Sequence, residues 1–378
     1  MRTIFKSFGL VLIGASSFSS LAMASAAPNV CPVAEAVVVP DVARQGASAT
    51  VGMIADRVAS AAAGIGMVGS STPVKLGVVA SCGQVALNEE SSDSAFQPRL
   101  SAAETTAAKP QPNQTAPALD NGIWMSTTAT WLKKTDPKGE FSGSVETAVV
   151  GFDRKVLPDT IVGIATGAES AFIRTAYNRG TIRGKSISIS PYVGYAFTDW
   201  LTWDATLGHA WVYYNYTQDN GATSEILGQS HANRWFGSTD LTATDRIEST
   251  ILRAALGYLR VSEVDKGFIN TSKTRVATSS VNMGQLRATL TAGYEFAAPW
   301  GIVTPNAFVR LQYEVPHQGA ASLATGYVST TDTTSAVFGV SVDTVIDKVW
   351  TVSMFGSTEE FRQNTSARTL GLNARYSF

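Results

Sequence analysis

The C-terminal stretch Thr369-Leu370-Gly371-Leu372-Asn373-Ala374-Arg375-Tyr376-Ser377-Phe378 decides the fold. Leu370, Leu372, Ala374, Tyr376 and Phe378 share one parity, and Gly371, Asn373, Arg375 and Ser377 share the other. A β-strand turns successive side chains to opposite faces, so this is a strand with one apolar and one polar face. Alone it would suit the edge of a soluble sheet. Its weight comes from recurrence upstream.

From Gly122 onward the pattern predicts about twelve strands, near 122–132, 141–153, 159–172, 183–197, 201–216, 232–243, 248–264, 282–296, 301–314, 333–346, 349–361 and 365–378. In one, Leu286, Ala288, Leu290, Ala292, Tyr294 and Phe296 oppose Gln285, Arg287, Thr289, Thr291, Gly293 and Glu295. These segments exceed the usual five or six residues and reach the length that a tilted strand needs to cross a bilayer. Short links near 154–158, 198–200, 243–247, 297–300 and 347–348 alternate with polar links at 133–140, 173–182, 217–231, 265–281, 315–332 and near 363. Aromatic residues such as Trp200, Tyr213, Trp300, Tyr313 and Trp350 stand near strand ends. Short turns on one side, longer loops on the other and aromatic girdles predict a transmembrane antiparallel up-and-down β-barrel of about 12 strands. It must close, because lipid cannot satisfy an open sheet edge. A soluble sandwich would show the same alternation with its faces swapped, but strand length, aromatic placement and the terminal Phe378 favour the membrane.

Composition divides the 378 residues. All eight tryptophans lie between Trp124 and Trp350, whereas Phe96 is the only aromatic from Ser25 to Asn121. Residues 1–24 carry Arg2 and Lys6 ahead of an apolar stretch and small residues, the pattern of a signal peptide. Residues 25–90, rich in Ala, Val, Gly and Ser, form a small mixed α/β or partly disordered segment. In it Val37-Val38-Val39 and 75–80 read as strands, and Ser48 caps a helix that stops at Gly64. Residues 91–119, with Pro98, Pro110, Pro112 and Pro117, are a linker before the barrel at 120–378. Cys31 and Cys82 are a candidate disulfide in an exported protein, two free thiols being the alternative.

The net charge of −1 gives no electrostatic case for nucleic acid. His209, His231 and His317 lack spaced metal partners, and no catalytic residue or cofactor is assigned. His209 lies mid-strand on the Leu207/Trp211 parity, while His231 is expected in a loop beside Ser230, the one place where a hydrolase rim could be built. Gly64-Ile65-Gly66-Met67-Val68-Gly69 matches a dinucleotide fingerprint in letters only, since no strand leads into it and no helix follows. The polar parities place Asp204, Asp240, Arg253, Arg287, Glu295, Arg310, Asp343 and Arg375 in the lumen. There they can wet a pore or hold a plug through ion pairs.

Residues 120–378 resemble the translocator domain of autotransporters. The likeness rests on domain length, strand number, C-terminal position and the final Tyr376-Ser377-Phe378. It also rests on the long strand, loop and returning strand from Ala255 to Phe296, with Gly257-Tyr258 and Gly293-Tyr294 at matching places. The resemblance implies a monomeric barrel in outer-membrane lipid, delivered by the general secretion pathway. It implies that the terminal strand (Leu370, Leu372, Ala374, Tyr376 and Phe378) is read by the barrel-assembly machinery. The family usually carries a large passenger and threads a helix through the pore. No repeat occurs in 27–90, and Pro110, Pro112 and Pro117 would interrupt a helix just before the first strand. Export of the front segment, or a porin-like barrel with a periplasmic module, are therefore both open.

Overall fold

The computed structural model describes residues 33–62 and 121–378, apart from 136–139, 177–178, 220–224, 316–332, 348 and 363. A helix, α1 (Val33–Ala62), precedes the strands. These are β1 (Asn121–Lys134), β2 (Phe141–Leu157), β3 (Thr160–Thr175), β4 (Gly180–Thr198), β5 (Leu201–Asp219), β6 (Glu225–Ile247), β7 (Thr250–Asp265), β8 (Phe268–Ile269), β9 (Arg275–Val276), β10 (Ser279–Tyr294), β11 (Phe296–Ala298), β12 (Gly301–Val315), β13 (Thr334–Ile346), β14 (Trp350–Glu360) and β15 (Thr365–Ser377). Each spanning strand pairs antiparallel with its sequence neighbours, and β1 pairs with β15, from Gly122 opposite Ser377 to Lys134 opposite Thr365. The result is a closed barrel of 12 strands, in which β11 continues β10 and β8–β9 is a small hairpin in one loop.

The barrel is apolar outside and polar inside. Leu370, Leu372, Tyr376 and Phe378 are exposed on the outer face, as are Leu286, Leu290, Tyr294 and Phe296. The opposite parity buries Ser126, Thr128, Ser188, Asn306 and Arg375. Such a wide apolar exterior is stable only in lipid, where the transfer term runs opposite to that in water. The tight turns use left-handed backbone at Glu248 (φ 54°) and Asp347 (φ 46°).

Several strands outrun the sequence expectation on the long-loop side. β6 starts at Glu225 rather than near 232, and β5 runs to Asp219. Alternation of hydrophobicity ends where the lipid ends, but the hydrogen-bonded ladder does not. Gln229, Ser230 and His231 thus read as loop in sequence and are strand in the fold.

The front segment departs further. Val37–Val39 is not a strand, and the helix does not begin at Ser48; one continuous helix covers both and contains Pro40. Valine's strand preference is weak against tertiary contacts. Here Val38, Val39 and Val42 are fully buried with Leu132, Phe141, Val145, Ile173, Ile182 and Tyr214 of the barrel wall. The small Ala, Gly and Val side chains that cannot form a core alone make a helix slim enough for the lumen. The helix that the resemblance implied thus comes from well upstream of the prolines at 110–117. Cys31, Cys82, His317, the Gly64–Gly69 motif, the signal peptide and the linker lie outside the described residues.

Candidate functional site: the helix-filled lumen

The lumen of the barrel is shared by α1 and a polar cavity. α1 packs most closely against β2 to β7, touches β10 and β1 less, and reaches β12 and β14 through Arg44. Its first half lies at the long-loop end, where Asp41 meets Lys134 at 3.8 Å near the end of β1. Met53 and Ile54 lie deeper, with Trp124, Val149, Ala165 and Tyr192 toward the short-turn end. The helix therefore enters at the long loops and points its C-terminus at the turns.

Three charged groups fix the helix or the wall behind it. Arg44 of α1 contacts Glu359 at 3.3 Å, Glu314 at 3.5 Å and Asp41 at 3.6 Å. Arg362, beyond β14, pairs with Glu359 (3.4 Å) and with Glu314. Two guanidinium groups and two wall carboxylates thus form a compact cluster with Asp41 at the loop end.

Behind α1, Arg234 of β6 contacts Glu169 of β3 at 3.0 Å and Glu263 of β7 at 2.5 Å. The Tyr214 hydroxyl donates to Glu263 at 2.9 Å. Arg234, Glu263 and Tyr214 are each 1% exposed. Nearer the turns, Arg375 reaches Asp153 at 3.0 Å, Tyr192 donates to the same carboxylate at 3.3 Å, and Trp124 donates to Tyr192 at 2.8 Å. Buried charges are tolerable only when paired in this way.

The cavity, about 320 Å³, lies beside α1, lined mainly by β1, β10 and β12 to β15 and by turn-side residues of β5 to β7. Seven of the eight residues assigned to the lumen from sequence line it: Asp204, Asp240, Arg253, Arg287, Arg310, Asp343 and Arg375. Arg287 pairs with Asp240 at 3.0 Å, Asp343 accepts from Asn306 at 2.8 Å, and Arg310 donates to Thr289 at 3.1 Å. Glu295 is set apart, paired with Arg246 at 2.8 Å next to the Ile247–Thr250 turn. Ala374, placed with the apolar parity, is half-buried and lines the cavity edge.

Parity alone could have found Arg234, Glu169 and Glu263, which face inward from their strands. The same holds for Glu359, on the parity of Ser353 and Ser357, whereas Arg44 had no such signal because no alternation assigns the front segment to a face of the barrel.

Ser230 and His231 do not form a nucleophile–base pair. Strand parity turns Ser230 into the lumen, where it donates to Asp265 at 2.8 Å, and His231 outward, where it meets the Tyr213 ring at 4.8 Å. His209 faces outward between Trp211 and Trp235, with ring centroids 4.6 Å from each. Among the described residues no group of His, Cys, Asp or Glu is placed to hold a metal ion, and no helix is long and apolar enough to cross a membrane.

A closed β-barrel with an apolar belt outside, and an ion-paired lumen holding one helix, is a transmembrane barrel of the helix-threaded class. The autotransporter β-domain family model matches residues 123–356, and the chain belongs to that family. The fold is similar to the translocator domain of autotransporter NalP from Neisseria meningitidis (TM-score 0.55, 12% identity, 68% of this chain and 88% of that one). It is likewise similar to the β domain of the Bordetella autotransporter BrkA (0.58, 15%, 68% and 100%). The transport unit of AIDA-I from Escherichia coli is a third match (0.53, 11%, 71% and 93%). No curated protein sequence matches the chain. The barrel is an autotransporter translocator domain.

Proposed function

We propose that this translocator barrel sits in the bacterial outer membrane and that its lumen holds the N-terminal segment in transit, presenting the residues before α1 at the cell surface. The direction of α1 carries this reading. Its start lies with Asp41 and Lys134 at the long-loop end, and Met53 and Ile54 lie toward the short turns. In outer-membrane barrels the short turns face the periplasm and the long loops face outward. Export by an N-terminal signal peptide, and reading of the Leu370–Phe378 strand by the barrel-assembly machinery, belong to the same proposal; the basic and apolar pattern of residues 1–24 and the alternation that ends in Phe378 support them.

The test is a pair of epitope tags in intact cells treated with protease, one after Ala27 and one after Glu90. The first should be digested and the second protected, because α1 enters from outside and β1 starts at the turn side. Protection of the Ala27 tag would sink the export reading in favour of a porin-like barrel with a periplasmic module.

A further inference from the structure

The outer surface of the barrel is not uniformly apolar. On β4 the outward row reads Phe197, Tyr195, Val193, Pro191, Ile189, Ile187, and then Lys185 and Arg183. From Phe197 to Ile187 the strand rises about 33 Å, or about 25 Å along the membrane normal at a tilt of about 40°, which matches the apolar band of such barrels. The two cations therefore stand just past the lipid band, on the long-loop side. Arg174 of β3 joins them. Its guanidinium lies 5.3 Å from the Phe172 ring centroid, and that of Arg183 lies 5.4 Å from the same ring.

All three cations are exposed, and none has a carboxylate partner among the described residues. The nearest outward carboxylate by register is Glu146, opposite Ser170, which in turn faces Lys185. Lys185 stands across from Tyr213, and Arg183 across from Asn215, itself paired with Gln229. Phe172 and Tyr213 thus stand level with the cations, Trp211 lies one outward step nearer the lipid band opposite Ile187, and two outward amides flank the patch.

We propose that Arg174, Arg183 and Lys185 bind the phosphate groups of a phosphorylated glycolipid in the leaflet on the long-loop side. Two guanidinium groups held over one ring repel each other until an anion lies between them. They present the planar donor forks that suit phosphate oxygens. Cations clustered just beyond a hydrophobic span are attracted to anionic headgroups, and the aromatic residues beside and below them contact the acyl boundary. Asn215 and Gln229 supply donors and acceptors for sugar hydroxyls, which favours a glycolipid over a simple phospholipid. The assignment rests on the membrane-spanning reading of the barrel.

The full chain, reconstituted in detergent, is mixed with a bis-phosphorylated acylated disaccharide, its dephosphorylated form or phosphatidylglycerol, and lipid retention is read by native mass spectrometry. The variant Arg174→Gln/Arg183→Gln/Lys185→Gln should retain the phosphorylated glycolipid on the order of a hundredfold more weakly than the wild type. The wild type should bind the dephosphorylated form about as weakly as the variant binds the phosphorylated one. Arg154→Gln, on the outer face at the turn side, should change nothing. Equal retention by the triple variant, equal loss with Arg154→Gln, equal retention of phosphatidylglycerol, or displacement by millimolar inorganic phosphate would each overturn the assignment. Co-flotation of the wild type with vesicles separates the two failures. A barrel that inserts but does not discriminate loses only this site, and one that does not insert loses the membrane reading as well.

Discussion

Gly46 of α1 and Glu169 of β3 are in direct apposition: a Cβ built on Gly46 would fall 1.5 Å from Glu169 Oε2 and 2.9 Å from Arg234 Nη1. Glu169 cannot swing aside freely, since Arg234 holds both its carboxylate oxygens, at 3.0 and 3.2 Å. The absence of a side chain at one position thus lets the helix lie on a buried ion cluster rather than stand off it. That contact seats α1 close against β3 and β6, with most of the cavity on the side of β10 and β12 to β15.

Gly46→Val should therefore unseat the helix. Overpacking of this kind costs about 1–3 kcal/mol. It should lower the thermal stability and raise the conductance of the barrel in planar bilayers. Gly52 is the internal control, with no atom within 4 Å of a built Cβ. Gly52→Ala should be neutral, or should stabilise the helix by up to about 1 kcal/mol. Wild-type conductance and melting for Gly46→Val would show that the helix does not depend on this close approach.

Among the described residues Arg234 is the guanidinium that Glu169 and Glu263 share. Arg234→Met should destabilise the barrel by about 3–5 kcal/mol, because it leaves two carboxylates buried without a counter-charge. Adding Glu169→Gln and Glu263→Gln should restore most of that loss. Denaturant unfolding in detergent decides it, and a loss unchanged by the two glutamines would mean that Arg234 acts by packing rather than by charge.

The barrel was legible in the sequence because lipid enforces one rule on every strand. Leu286, Leu290 and Tyr294 must face out while Gln285, Arg287 and Gly293 face in, and a two-residue period survives any loop. The same parity placed Asp240, Arg287 and Arg375 in the lumen. It did not tell which charge meets which, since Arg375 pairs with Asp153 across 222 positions of sequence. The helix was legible only in part. Its Val37–Val39 run and Pro40 point away from helix locally, and the contacts that override them come from strands more than 70 residues away. Gly46 carried no signal, because its reason lies in Glu169.

Arg44 holds α1 to the loop end through Glu359 and Glu314, with its side chain only 4% exposed. Arg44→Ala leaves Arg362 to neutralise those carboxylates, so the barrel itself should remain folded. The helix loses charge-assisted contacts of about 1.5–3 kcal/mol. More frequent open events in single-channel records, and faster cleavage of α1 by added protease, are expected. Because the cluster is buried, raising the salt concentration alone should not reproduce the effect. Open events as rare as in the wild type would show that apolar contacts, such as those of Val42 and Ile54, suffice to hold the helix.

Phe378 adds the last rung to the β1–β15 seam that closes the barrel. Its amide donates to the Asn121 carbonyl and its carbonyl accepts from the Asn121 amide, both at 3.1 Å. Its ring stacks on Tyr376 at 5.8 Å, which in turn packs on Trp350 at 4.9 Å. Deleting it removes the last rung of the ladder between first and last strands together with one member of the girdle, about 2–3 kcal/mol from two hydrogen bonds and an aromatic pair. Phe378→Ala keeps the rung and loses only the ring. The folded, heat-modifiable fraction in cells should therefore fall in the order wild type, Phe378→Ala, deletion. The same order should appear for refolding into detergent if closure alone matters. A drop confined to cells would assign the residue to recognition during assembly, and an unchanged fraction in both settings would remove Phe378 from either role.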